Sequence, residues 1–198
     1  MMDSDSRLTT VKYLKILFWL SIASLARVAL TWVLVFGIGQ WIDHGITLGK
    51  VLCLFRLHNS RSRYSQAAKF LLGSLILDVI ADVLVLVEFF HLELLLMLQY
   101  LLPAVAGVLL FIAMFMECAT HGSLVSDVDP ALPRKWNRLC FARMAVIAVS
   151  YPCAYLSTHL LMAVPIVGTV VMYLPTVAAA ILSLVYLEYL RRTIAYLK

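Results

Sequence analysis

The chain has 198 residues, 63% of them hydrophobic, and a mean hydropathy of +0.95, well above the roughly half-apolar composition of a soluble domain. That length and composition leave room for one compact helical bundle, a single domain over residues 1–198, and none for a separate soluble domain. A net charge of +5 and a pI near 9.1 would suit nucleic acid, but the Lys and Arg residues sit in short clusters beside apolar runs, which is the pattern of membrane orientation, so no nucleic-acid partner is expected.

Arg7, Lys12 and Lys15 precede the first apolar run, 16–38, which only Arg27 interrupts. At a rise of about 1.5 Å per residue this run can cross a hydrocarbon core of about 30 Å. It continues past Ser24-Leu25-Ala26, beyond the apolar core of about 7 to 15 residues usual in a secretory signal, so an uncleaved first helix is expected.

Segment 40–58 mixes apolar residues with Asp43, His44, Lys50 and Arg56. At helical spacing Gln40, Asp43, His44, Thr47 and Lys50 share one stripe. Such a helix either lies flat in the interface or spans with its polar stripe turned into the bundle, and local sequence does not separate the two.

Stronger runs follow at 70–90 and 94–116, joined by a tight turn after Val87. Glu117, Cys118 and His121 then read as a helix terminus closed by Gly122. Through the connection 117–143, Ser126, Asp127, Asp129, Pro130 and Pro133 predict a turn that leads into a short basic helix at 134–138, with Trp136 suited to an anionic membrane surface. The last two runs, 144–163 and 166–187, predict a hairpin with Pro165 in the first turn of its second helix and bends at Pro152 and Pro175.

Lys and Arg near span ends favour the cytoplasm. Three clusters, Arg61 to Lys69, Arg134 to Arg143 and Arg191 to Lys198, can be cytoplasmic together. Five spans strand Arg7, Lys12 and Lys15 outside, whereas a sixth span at 40–58 brings them inside. The expectation is therefore an all-α, multi-pass bundle of six spans in the cell membrane, both termini cytoplasmic. Five spans plus an interfacial helix are the alternative, because Lys50 unpaired near mid-span costs about 2.5 to 3.5 kcal/mol.

Asp78 and Asp82 stand four apart on one helical face, with Ser74 a turn earlier, inside an otherwise apolar span. Two carboxylates at that depth need compensation. Arg27 and, in the six-span reading, Lys50 lie at similar depth, which predicts a buried charge network of Arg27, Lys50, Asp78 and Asp82. As interhelical pairs these residues fix helix registry; alternatively they bind an ion or relay protons. Toward the outer face Glu88, His91 and Glu93 occupy about one turn, with His159, Asp43 and His44 at other span ends. Their types suit a divalent cation, but the spacing is not that of a metal motif and hydrated span ends explain them, so no metal is assigned.

The Asp-x-x-x-Asp spacing is similar to the end of the CDP-alcohol phosphotransferase signature, but the upstream Asp-x-x-Asp-Gly-x-x-Ala-Arg segment of that family is missing and Gly73 stands five residues before Asp78 rather than four. No Gly-x-Ser-x-Gly, His-Glu-x-x-His or glycine-rich phosphate loop occurs either. The four cysteines, Cys53, Cys118, Cys140 and Cys153, lack Cys-x-x-Cys spacing and read as packing residues. A non-enzymatic membrane component without a cofactor is expected, in an accessory, structural or regulatory role, its partners the lipid bilayer and either another membrane protein or a second copy of the chain. A small ion- or proton-coupled transporter is the alternative.

Overall fold

The computed structural model describes residues 4–30, 38–86 and 93–198. Within them all regular structure is helical, in agreement with the all-α expectation: α1 (Ser4–Leu30), α2 (Ile38–Arg56), a 3-10 turn (Leu57–Asn59), α3 (Arg63–Leu86), α4 (Glu93–Leu124), α5 (Leu132–Ala163) and α6 (Pro165–Leu197). Among the described residues, three helical segments are long and apolar enough to cross a membrane: Ser6–Val28, Leu101–Leu124 and Pro165–Leu197.

Each helix packs on its neighbours in chain order, and α1 closes a ring against α6. The cross-contacts make every chain-order pair antiparallel. Late Arg27 of α1 meets early Asp43 of α2, and early residues meet late ones where His44 meets Asp82, Tyr64 meets His121 and Trp136 meets Thr193. Helix α2 thus runs alongside α1 and α3 and does not lie across the end of the bundle. Both chain ends, the 57–62 turn and the 125–131 loop gather at one end, where Thr10 bonds Ser60, Arg61 bonds the Ser123 carbonyl and Tyr196 bonds Asp129.

Two connections differ from the sequence expectation. Helix α4 does not stop at Gly122 but continues to Leu124, because a glycine there lets α5 approach: a Cβ on Gly122 would stand 3.1 Å from the Pro133 Cα. The basic stretch 134–138 is not a separate short helix but the first turns of α5, which starts at Leu132 with Pro133 in its first turn. The Asp129 carboxylate accepts from the Ala131 and Leu132 N–H groups at 2.9 and 3.3 Å, satisfying donors that a helix start leaves free. Trp136 accordingly faces the core, fully buried, rather than a membrane surface.

The α5–α6 hairpin is as tight as expected. Val164 alone separates the helices, its extended backbone (φ −141°, ψ 87°) reversing the chain, and Pro165 opens α6. A Cβ on Gly168 would lie 2.5 Å from the Leu161 backbone nitrogen, so only glycine lets the two backbones cross there.

The main core sits toward the terminus-bearing end and includes Leu14, Leu54, Leu57, Ala68, Trp136 and Leu190. Away from the core, large apolar side chains face outward in stripes at helical spacing. On α3 these are Ile76, Ile80 and Val83; on α4, Leu101, Val105, Val108, Ile112 and Phe115; on α6, Val170, Leu174, Val177, Ile181 and Leu184. A water-soluble bundle buries such stripes.

Candidate functional site

Polar and ionisable side chains inside the ring fall into three tiers. The tier farthest from the chain ends joins α1, α2 and α3. Arg27 pairs with Asp43, and His44 Nε2 lies 2.8 Å from Asp82 Oδ2. Ser74 stands one turn before Asp78 on the same face of α3, and His44 and Asp82 lie close enough to Asp78 to interact electrostatically. These groups are half-buried. Helical spacing explains the pattern: Asp43 and His44 are consecutive, about 100° apart around α2, so one turns to α1 and the other to α3.

The expected partnership of Arg27 and Lys50 with Asp78 and Asp82 is therefore redistributed. Arg27 and Asp82 find their partners on α2, at Asp43 and His44. Lys50, six residues beyond His44, is displaced about 9 Å along the axis and belongs to a different tier. Glu88 and His91 lie outside the described residues, as do the side chains of Glu93 and His159. Among the described residues no three His, Cys, Asp or Glu side chains converge as metal ligands.

The middle tier is a small cavity of about 60 Å³. Ser21 and Ser24 reach it from α1, Lys50 from α2, Glu117 from α4, Arg143 from α5, and Ser183 and Tyr186 from α6. Five of the six helices contribute, and every lining residue carries a polar atom. The Arg143 guanidinium stands 5.0 Å over the Tyr186 ring, a cation–π contact. Tyr186 donates its hydroxyl to Glu117 Oε1 at 2.5 Å. Lys50 and Arg143 both interact with Glu117 electrostatically, yet neither donates a hydrogen bond to a described residue. Ser21, Ser24 and Ser183 are small side chains, which leave space where α1 and α6 face the cavity.

The tier nearest the chain ends is aromatic and closed. His121, fully buried, receives the Tyr64 hydroxyl at Nδ1 (2.7 Å), and its Nε2–H points to Glu117 Oε1 at 3.4 Å. Burial pushes the Tyr64 hydroxyl above its ordinary pKa, so it stays protonated and is the donor in this bond. With Nε2–H donating and Nδ1 accepting, a neutral imidazole satisfies both contacts. The Trp136 ring lies 4.9 Å from His121 and 5.4 Å from Tyr186, and its indole N–H donates to Thr193 at 3.4 Å. Glu117 thus joins a chain of contacts, Tyr64 to His121 to Glu117 to Tyr186, that links α3, α4 and α6.

Residues Glu117 and His121 had read as an ordinary helix end. A signal was present: they stand four apart on one helical face, a spacing that favours side-chain pairing, and the apolar periodicity of Leu132, Trp136, Leu139 and Cys140 extends α5 upstream over them.

Beside the middle tier runs a larger groove of about 410 Å³ between α1, α5 and α6, sharing Ser24 and Ser183 with the polar cavity. Leu25, Val28, Val146, Ile147, Ala179 and Ala180 give it mainly apolar walls, and it extends away from the chain ends toward Arg27 and Pro175. Comparison of the chain with protein-family models, with curated proteins and with solved structures finds no match.

Proposed function

We propose that the protein is a six-span, non-enzymatic component of the cell membrane, with both termini in the cytoplasm and its ionisable residues holding the helices in register. One observation carries this reading: α2 and α3 pair Asp43, His44 and Asp82 with neighbouring helices while Trp41, Leu48, Leu52, Ile76, Ile80 and Val83 face outward. A helix lying in the interface would turn its charges to water and its apolar face to the membrane, whereas a spanning helix turns charges inward and apolar residues to lipid. Buried pairs of this kind set registry more than they add stability. An accessory, structural or regulatory role follows, alongside a membrane partner or a second copy.

The test is a single cysteine at Ser4→Cys, in a chain whose four native cysteines are replaced, probed by an impermeant thiol reagent on intact cells. Protection until permeabilisation is the expected result. Labelling of intact cells overturns the six-span topology.

A second reading draws on the Asp78, Asp82 and His44 trio. Two carboxylates and an imidazole linked across α2 and α3 are groups that relay protons in membrane carriers, so a small ion- or proton-coupled transporter is the alternative. It requires Asp78→Asn to abolish a proton flux into vesicles holding the reconstituted protein while the protein stays folded.

A further inference from the structure

The middle cavity holds one carboxylate and two cations. Glu117 already accepts from Tyr186 and His121, while Lys50 and Arg143 face the cavity without donating to a described residue. An ammonium brings three N–H donors and a guanidinium five, and burying them without acceptors is unfavourable. Ser24 adds a further hydroxyl donor, while Ser21 and Ser183 already donate theirs to the Leu17 and Ala179 carbonyls. The cavity therefore lacks what its lining most needs: a compact anion offering several oxygen acceptors. At about 60 Å³ it is small, a size that suits a bare phosphate group better than one carrying a choline or inositol substituent.

The groove that shares Ser24 and Ser183 with this cavity is of the opposite character. Its 410 Å³ falls within the range of about 300–1,000 Å³ typical of ligand pockets, and its walls are mainly aliphatic. A polar pit with excess positive charge, adjoining an apolar groove through Ser24 and Ser183, is complementary to one kind of molecule. We propose that this compartment binds a phosphate-monoester lipid of the phosphatidic acid class, its phosphate held by Lys50, Arg143 and Ser24 and one acyl chain laid between α1, α5 and α6. Arg143 is suited to the task because a guanidinium engages phosphate through paired hydrogen bonds, and its stacking on Tyr186 fixes its plane.

The inference rests on the protein being membrane-embedded but not on its span count. It is tested on the purified full chain in detergent, where the topology result has no bearing. A phosphatidic acid carrying a photoactivatable diazirine on one acyl chain is bound, illuminated, and its adducts mapped by peptide mass spectrometry. Adducts on 24–28 and 176–183, competed by phosphatidic acid and not by phosphatidylcholine, are expected. Adducts confined to outward faces overturn the proposal.

The variants Arg143→Gln, which removes a phosphate contact, and Ala179→Phe, which fills the groove, are each expected to weaken phosphatidic acid binding about tenfold or more. Unchanged binding in both overturns the proposal. So does stabilisation by inorganic phosphate equal to that by the lipid, which would assign the pit to the free ion. The adduct map needs no variant, so it decides the matter even where a substituted chain does not fold.

Discussion

The Tyr64 hydroxyl lies 2.7 Å from His121 Nδ1, and both residues are wholly removed from solvent. This contact bolts the first turn of α3 to the last turns of α4 and sets the orientation of an imidazole whose other nitrogen faces Glu117. Tyr64→Phe removes the donor and leaves Nδ1 buried and unsatisfied. A loss of about 1–3 kcal/mol is expected, read as a lowered thermal midpoint in detergent. An unchanged midpoint would mean that the hydroxyl is not the acceptor's support.

The Arg27–Asp43 pair calls for a double-mutant cycle. Removing either partner leaves the other charge inside the bundle, so Arg27→Met and Asp43→Leu should each lower the amount of folded protein more than the combined variant does. The expected coupling is about 0.5–3 kcal/mol. Additive effects would mean that the two charges do not depend on each other.

Two glycines should respond to alanine with opposite signs. At Gly168 the new Cβ meets the Leu161 backbone at 2.5 Å, which neither helix can yield without opening the hairpin; a loss of about 1–3 kcal/mol is expected. At Gly45, inside α2, nothing stands within 4 Å, so alanine should add about 0.5–1 kcal/mol through helix propensity alone. Paired thermal melts of the two variants test the difference.

Tryptophan fluorescence distinguishes inside from outside. Trp136 is 0% exposed, against 66% for Trp19 and 53% for Trp41. In single-tryptophan variants reconstituted with bromine-labelled acyl chains, Trp19 and Trp41 should be quenched strongly and Trp136 weakly. Weak lipid quenching of Trp41 combined with strong quenching by aqueous acrylamide would place α2 at the water interface.

How much of this was readable beforehand depended on whether a feature is local. Helix type follows from uninterrupted apolar runs, and the α5–α6 hairpin from Pro165 and the absence of polar residues between the two helices. Partner choice is not local. Which acid meets Arg27 turns on the rotation of α2 between α1 and α3, and two consecutive residues, Asp43 and His44, serve both sides. The cavity was hidden for a related reason: Ser21, Ser24 and Ser183 look unremarkable in their own helices and make a space only when α1 meets α6. Glu117 and His121 do lie in the last turns of α4, as Gly122 suggests, but their partners on α3 and α6 are not local, and neither is the close approach of Pro133 to Gly122.

The closure of α1 against α6 imposes an order on assembly. Lys50 and Glu117 are in place once the first four helices have gathered, but Arg143 and Tyr186 come from the last two. Until those arrive, Glu117 lacks the hydroxyl that bonds it and the two serines of α1 face an open flank. A chain cut to α1 to α4 would therefore carry an unsheltered lysine and carboxylate, which is the kind of feature membrane quality control reads as incomplete. The same polar centre that marks the finished protein would identify its unfinished form.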